Sequence, residues 1–291
     1  MKFITTILIF LFFKAIYTAT FSEALLNLRK LESYIKQYKD EKKSKVSLNH
    51  LILSYIREGK YKGTAWTLAA GSPPSDLEAY IKALDTEKNT NAASCRGYGE
   101  IVLPSKEKMD FVHLFATMNG IDHSNSFTDG FSALVGWGGD AAQLAQDLKK
   151  FNGTLDQLLV EANKLLGVKG QFGEGDLISD LDAPIILEKK KDNNTFANII
   201  EEYYKGDEWK SRVPKFVKLT FPTVTDKTQL RQVVFDRYNK DGYIQILECQ
   251  YGIRVAGRIL GCYSPHAVIA QYKNHQKAAV YAFADYLKKR L

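Results

Sequence analysis

A succession of capped segments with helical periodicity most constrains what this sequence can fold into. The first segment begins at Thr20-Phe-Ser-Glu23, where the spacing of Thr and Glu is typical of a capping box. Apolar residues then recur every three to four positions, which places them on one face of a helix; they are Leu25, Leu28, Leu31, Ile35 and Tyr38. This pattern predicts a helix to about Lys39.

Similar signals recur along most of the chain. They predict helices from Ser47 to Gly59, from Tyr61 to Gly71, from Pro73 to Leu84, from Ser105 through His113, at 140–151, 154–166, 195–204, 207–219 and 226–238, and from Pro265 to about Arg290. In the first half of the chain only residues 98–103 alternate like a strand, and the apolar residues 243–251 fit either a helix or a strand. The polar stretches 85–97 and 167–182 predict loops. We therefore expect an all-α or nearly all-α, multi-helix single globular domain, with at most one short β-hairpin or strand near 98–103.

The first 19 residues have the composition of a secretory signal peptide. Lys2 precedes the apolar run from Phe3 to Phe13, and small residues such as Ala15 and Ala19 follow it. The run is about half as long as a membrane span requires. We expect residues 20–291 to form one secreted domain, extracellular or lumenal, with no stable membrane span; an uncleaved anchor is the alternative.

The net charge of +7 suggests a negatively charged partner. The lysines are spread along the chain, so a solvated basic surface also explains the charge. We expect an extracellular, anionic polymer or glycan as the partner, and no nucleic acid. Oligomeric state stays open.

The three cysteines leave the disulfide pattern undecided. One disulfide and one free thiol is the simplest outcome in an oxidising compartment. Cys249 and Cys262 would close a short loop, whereas Cys95 with either would join the middle of the chain to its end.

Asp110 and His113 form the first candidate site. Their spacing of three places them on one face of the predicted helix, among Phe111, Val112 and Leu114. A carboxylate beside an imidazole can orient the ring and raise its basicity. A buried structural pair explains the same pattern.

The segment Gly136-Trp137-Gly138-Gly139-Asp140 is the second candidate. Gly138 and Gly139 would let the backbone approach a ligand, and Trp137 could stack on a sugar. Asp140 could act as a base or stabiliser, or serve only as a helix N-cap.

Acidic residues in the middle of the chain could supply a two-carboxylate hydrolase. Glu100 and Asp110 fit this role best because they flank an apolar segment; the other acids are Glu174, Asp176, Asp180 and Asp182. The pair Asp122 and His123 suggests turn and cap residues in a polar loop, and residues 237–248 match a calcium loop only in part because Arg237 stands at its first position. We expect no metal and no cofactor.

These features favour a secreted hydrolase that acts on a glycan or cell-wall polymer. Glu100 or Asp110 would be the general acid, Asp140 the base or stabiliser, His113 the orienting residue and Trp137 the stacking surface. A secreted binding protein without enzymatic activity is the alternative, and a membrane-active helical protein is a third.

Overall fold

The computed structural model describes residues 19–62, 71–86, 91–124, 144, 148, 151, 153–166, 174–190, 194–240, 254–255, 258–259 and 265–291. Several predictions lie outside these residues. They concern the signal peptide, Trp137, Gly138, Gly139, Asp140, Cys249 and Cys262. The prediction of one domain for residues 20–291 stays a prediction.

The described chain is mostly α-helical, as the sequence predicted. Its helices are α1 (Phe21–Glu41), α2 (Leu48–Tyr61), α3 (Leu77–Leu84), α4 (Phe111–Ser124), α5 (Leu155–Leu165), α6 (Glu174–Glu188), α7 (Phe196–Lys205), α8 (Arg212–Thr220), α9 (Leu230–Lys240) and α10 (Pro265–Lys288). Three short 3₁₀ turns lie at Ala92–Arg96, Glu208–Ser211 and Lys227–Gln229. No helix among these residues is both long and apolar enough to cross a bilayer.

Two short antiparallel pairs accompany the helices. Strand β1 (Glu100–Val102) pairs with β2 (Lys108–Asp110), so that Glu100 lies opposite Asp110. Strand β3 (Arg254–Val255) pairs with β4 (Arg258–Ile259). The strand predicted at 98–103 is confirmed.

Side-chain caps form at the starts of α1, α2 and α5, and those at Thr20 and Ser47 were predicted. Thr20 and Glu23 make the capping box of α1, and Thr154 with Gln157 makes that of α5. Ser47 caps α2 by accepting the N–H of His50.

Four local predictions are wrong, each because tertiary packing overrides composition. Helix α4 begins at Phe111 and not at Ser105, because residues 108–110 pair with β1. Residues 174–182 belong to helix α6, and Ala92–Arg96 form a turn with Ala92 and Cys95 buried. Asp122 and His123 lie in the last turn of α4 and not in a loop.

Cys95 is a free, fully buried thiol. Neither disulfide pairing that includes Cys95 is therefore present, and both of those alternatives are wrong. The core has filled this position with a small apolar side chain, as buried unpaired cysteines often do.

The main core joins the N-terminal helices to α4, α6 and α7. Leu28, Ile56, Phe115, Leu181 and Ile200 are all completely buried in it. A second cluster packs α5 against Ala278, Ala279 and Ala282 of α10. Other α10 residues, including Phe283 and Leu287, belong to the main core, so α10 is buried on two sides.

Gly59 does not end α2 as predicted but lies inside its last turn. A Cβ atom at this position would lie 1.8 Å from the carbonyl oxygen of Arg96. The missing side chain lets the Ala92–Arg96 turn pack directly on the helix backbone.

We therefore predict that Gly59→Ala destabilises the protein. Alanine in a helix normally gains about 1 kcal/mol over glycine, but here the backbone must move to relieve the clash, which typically costs about 1–3 kcal/mol. Urea unfolding followed by circular dichroism measures the difference. Gly97→Ala is the matched control, because its added Cβ would contact only Ser94 O at 3.5 Å. Equal or greater stability of Gly59→Ala would contradict this packing.

Glu32 links α1 to α7. Its carboxylate accepts the N–H groups of Phe196 at 2.6 Å and Ala197 at 3.2 Å, in the first turn of α7. Burial raises the pKa of Glu32 to about 7, against the opposing effect of these two hydrogen bonds.

This raised pKa predicts a pH-dependent stability. Between pH 4.5 and about 7 the unfolded chain loses the Glu32 proton while the folded chain retains it. The folded state then binds more protons, so this group makes stability fall as pH rises through that window. We expect Glu32→Gln to flatten this part of the stability profile in urea unfolding at several pH values. Parallel profiles for the two proteins would contradict the assignment.

Candidate functional site

The β1–β2 hairpin brings two predicted acids to one open cleft. Glu100 and Asp110 are direct partners in the strand register, so their side chains leave the same face of the hairpin. Both line a cleft of about 1000 Å³, together with Lys60, Arg96 and Lys108. Three cations and two carboxylates thus lie around one cavity.

Each acid is paired with a lysine. Lys60 Nζ lies 2.6 Å from Asp110 Oδ2, and Lys108 Nζ lies 2.9 Å from Glu100 Oε2. Burial lowers the pKa of Lys60, but the combined effects of Asp110, Tyr61 and Asp176 outweigh it and raise that pKa above its ordinary value. Lys60 is therefore a stable ammonium at neutral pH.

Asp110 also begins helix α4. Its Oδ1 accepts the backbone N–H of His113 at 2.9 Å, which is the geometry of an N-cap. The sequence placed Asp110 and His113 on one helical face, but Asp110 is the last residue of β2. The two residues are close because one caps the helix that carries the other.

His113 lies at the centre of a polar cluster made with α2 and α6. Its Nδ1 lies 2.8 Å from the Tyr61 hydroxyl oxygen, and its Nε2 lies 2.9 Å from Asp180 Oδ1. Asp176 Oδ1 lies 3.7 Å from the same Nδ1. The imidazole thus faces a tyrosine and two carboxylates.

Asp180 is completely buried, and only one of its two carboxylate oxygens has hydrogen-bond partners within the described part of the chain. Its Oδ1 accepts from Thr117 Oγ1 at 2.6 Å as well as facing His113. Its Oδ2 has no hydrogen-bond partner among the residues that the structure describes. A buried carboxylate oxygen without a partner costs free energy and needs an explanation.

Asp176 differs from Asp180 in its exposure. Its side chain is 37% exposed, and burial of the remainder raises its pKa, although His113 opposes the shift. A carboxyl group with a raised pKa at a solvent-accessible position is suited to donate a proton.

Gly175 lets α6 approach the hairpin closely. A Cβ atom at this residue would lie 2.9 Å from Asp110 N and 3.4 Å from Glu100 Cγ. Ser179, one turn later, donates to the carbonyl oxygen of Asp110 at 2.8 Å. The first turns of α6 therefore fix Asp176 beside the acids of the cleft.

A second polar network lies on another side of α6. The fully buried Asp182 accepts hydrogen bonds from the Tyr203 and Tyr204 hydroxyls and from Arg212 Nε. Burial raises the pKa of Asp182, and Arg212 opposes this shift. Both of its oxygens are occupied, so this network stabilises the packing of α6, α7 and α8.

The structure thus joins Glu100, Asp110 and His113 to residues that the sequence analysis did not assign to the site. Asp176 and Asp180 were noted as acids, but residues 167–182 were taken as a loop. Their spacing of four residues is the signal that could have placed both on one helix face. Tyr61 and Lys60 gave no sequence signal of a site.

No group of three or more His, Cys, Asp or Glu side chains within the described ranges is arranged to hold a metal ion. The Asp122–His123 pair lies at the far end of α4 from His113, and burial raises the pKa of Asp122.

Comparison with known proteins identifies a family. The family model described as "YkzU uncharacterised protein" matches residues 115–291. A relative from Bacillus subtilis (strain 168), "Uncharacterized protein YkzU", is 33% identical over 119 residues, which cover 38% of this chain and 67% of the relative. No solved structure matches the chain. The family match includes Asp176 and Asp180, and because it spans more than half of the chain, this protein belongs to the YkzU family.

Proposed function

We propose that this protein is a secreted hydrolase that acts on a glycan or cell-wall polymer. The observation that carries the proposal is the placement of Glu100 opposite Asp110 in an open cleft. Opposed residues of an antiparallel pair have Cβ atoms about 4.5–5.5 Å apart. Two carboxylates that share a cleft can stabilise the positive charge that develops on a sugar ring during hydrolysis.

The local charges support different roles for the two acids that line the cleft and for Asp176, which lies near them but does not line it. Asp110 and Glu100 are ion-paired with lysines, which favours their ionised forms. Asp176 has a raised pKa beside them and is the better proton donor. In this proposal Asp176 protonates the leaving oxygen, and Asp110 and Glu100 stabilise the transition state. Trp137 and Asp140 stay candidates from the sequence for stacking and stabilisation.

An anionic substrate suits the cations of the cleft. Lys60, Arg96 and Lys108 all line it, in a chain whose net charge is +7. The apolar segment within residues 1–19 supports secretion, and such polymers occur outside the cell.

A binding protein without enzymatic activity is the second candidate. It is favoured by the engagement of both Asp110 oxygens, one by the His113 N–H and one by Lys60, as in a structural cap. In that case the cleft would hold a glycan without cleaving it.

The two candidates predict different results in a turbidity assay with purified cell-wall material. We expect the native protein to clear the suspension, and Asp176→Asn to slow clearance by about 100-fold or more, since loss of a proton donor typically costs 10²–10⁴. Asp110→Asn, which can still cap α4, should also lose most activity because the negative charge is gone.

Asp207→Asn serves as the matched control, because Asp207 is exposed, pairs only with Lys210 among described residues and does not line the cleft. It should clear at the native rate. Circular dichroism must show that all variants fold. Sedimentation of the native protein with the polymer, with no clearance, would reject the hydrolase and support the binding protein.

A further inference from the structure

We propose that Tyr61 is the nucleophile of this site, activated by His113 as general base and positioned through Asp180. The inference rests on the proposed function for its substrate class, an anionic glycan. It names a covalent step that the paired carboxylates of the cleft do not supply.

The three residues form a continuous hydrogen-bonded chain. Tyr61 Oη lies 2.8 Å from His113 Nδ1, and His113 Nε2 lies 2.9 Å from Asp180 Oδ1. A nucleophile within hydrogen-bond reach of a base, which a third group orients in turn, is the recurring arrangement of covalent hydrolases. Here a phenol takes the place of the usual hydroxyl or thiol.

The direction of proton transfer follows from the partners of Asp180. Its Oδ1 faces the ring at Nε2 and also accepts from Thr117 Oγ1, so it acts as an acceptor. In the neutral imidazole Nε2 then carries the proton, which leaves the lone pair of Nδ1 directed at Tyr61. Burial raises the pKa of Tyr61, so its hydroxyl is present to donate.

The surroundings suit the charges that would develop. As the proton moves to Nδ1, the imidazolium lies between Asp180 and Asp176, whose Oδ1 is 3.7 Å away. Lys60 Nζ lies 5.5 Å from the centre of the Tyr61 ring and lowers the pKa of the phenol against the larger effect of burial. Tyr61 is partly exposed, and its neighbour Lys60 lines the cleft.

Three tyrosines that donate to carboxylates differ from Tyr61 in one respect. Tyr203 and Tyr204 donate to Asp182, and the partly exposed Tyr80 donates to Glu41 at 2.7 Å. The hydroxyls of these three tyrosines bind carboxylates, whereas Tyr61 faces an imidazole that is itself held by a carboxylate. An imidazole accepts a proton near neutral pH, which a carboxylate does far less readily.

A phenol also suits an anionic sugar, since a neutral nucleophile avoids the repulsion that a carboxylate would meet; some glycosidases use tyrosine. In the first step the Tyr61 Oη–anomeric carbon bond forms and the glycosidic bond breaks. The phenolic proton moves to His113 Nδ1, and the leaving oxygen takes the proton of Asp176. Water then attacks the anomeric carbon and gives a proton to Asp176, while the phenolate leaves and regains its proton from His113.

The test uses an aryl sulfonyl fluoride, which labels activated tyrosines and needs no known substrate. The phenolic oxygen–sulfur bond forms, fluoride leaves, and the proton goes to His113. Peptide mass spectrometry of the full-length protein measures the labelling rate of each tyrosine. We expect Tyr61 to react about 100-fold faster than Tyr80, within the ~10²–10⁴ range of general-base assistance.

The variants His113→Gln and Asp180→Asn should remove this difference at Tyr61 and leave the labelling of Tyr80 unchanged. If either variant does not fold, the native protein gives a second measurement. Labelling of Tyr61 should be lost between about pH 8 and pH 5, where imidazole gains a proton. Equal labelling of Tyr61 and Tyr80, or unchanged Tyr61 labelling in folded His113→Gln, would overturn the proposal.

The outcome is separable from that of the clearance assay. Selective Tyr61 labelling without clearance would support the activated tyrosine and reject the cell-wall substrate. Clearance by a folded Tyr61→Phe variant at the native rate would keep the hydrolase and overturn Tyr61 as its nucleophile.

Discussion

The first turn of α6 can lie against the β1–β2 hairpin only because residue 175 has no side chain. A Cβ atom there would lie 2.9 Å from the backbone nitrogen of Asp110, which cannot move without disturbing the hairpin or the cap of α4. This contact sets the position of Asp176 beside the cleft, and one turn later that of Asp180 beside His113. The polar cluster therefore depends on a close approach of backbone to backbone, and not on the attraction of its own charges.

Helix α6 is buried on most of its surface, and its carboxylates are paired in different ways. Asp182 uses both oxygens to bind Tyr203, Tyr204 and Arg212, so it joins three helices. Asp180 is equally buried, but one of its oxygens has no partner among the described residues. The carboxylate of Asp182 is fully paired, although Arg212 Nη2 beside it has no partner among the described residues. The unpaired oxygen of Asp180 costs free energy and stabilises nothing.

Sequence patterns that involve residues within about one helical turn of each other predicted the local structure correctly. The capping box at Thr20, the helical periodicity of α1 and the short strand at Glu100 all formed as predicted. The helix at residues 174–182 could not be predicted from such patterns, because glycines and aspartates are typical of loops. Only burial against α4 and β2 makes these residues helical. The partners of His113 were missed for the same reason: Tyr61 and Asp180 are 52 and 67 residues away along the chain.

Two polar clusters on one helix allow their roles to be compared within the same fold. Both contain a buried aspartate and tyrosine hydroxyls, so burial and residue type do not distinguish them. The cluster around Asp182 also contains an arginine, which matches the carboxylate charge permanently. The cluster around Asp180 contains an imidazole instead, which can gain or lose its charge near neutral pH. It also reaches solvent through Asp176 and the cleft through Lys60. A buried charge that is matched permanently serves packing, whereas one that can be switched and reached from solvent is suited to proton transfer. On this basis we propose the cluster around Asp180 as the site of chemistry.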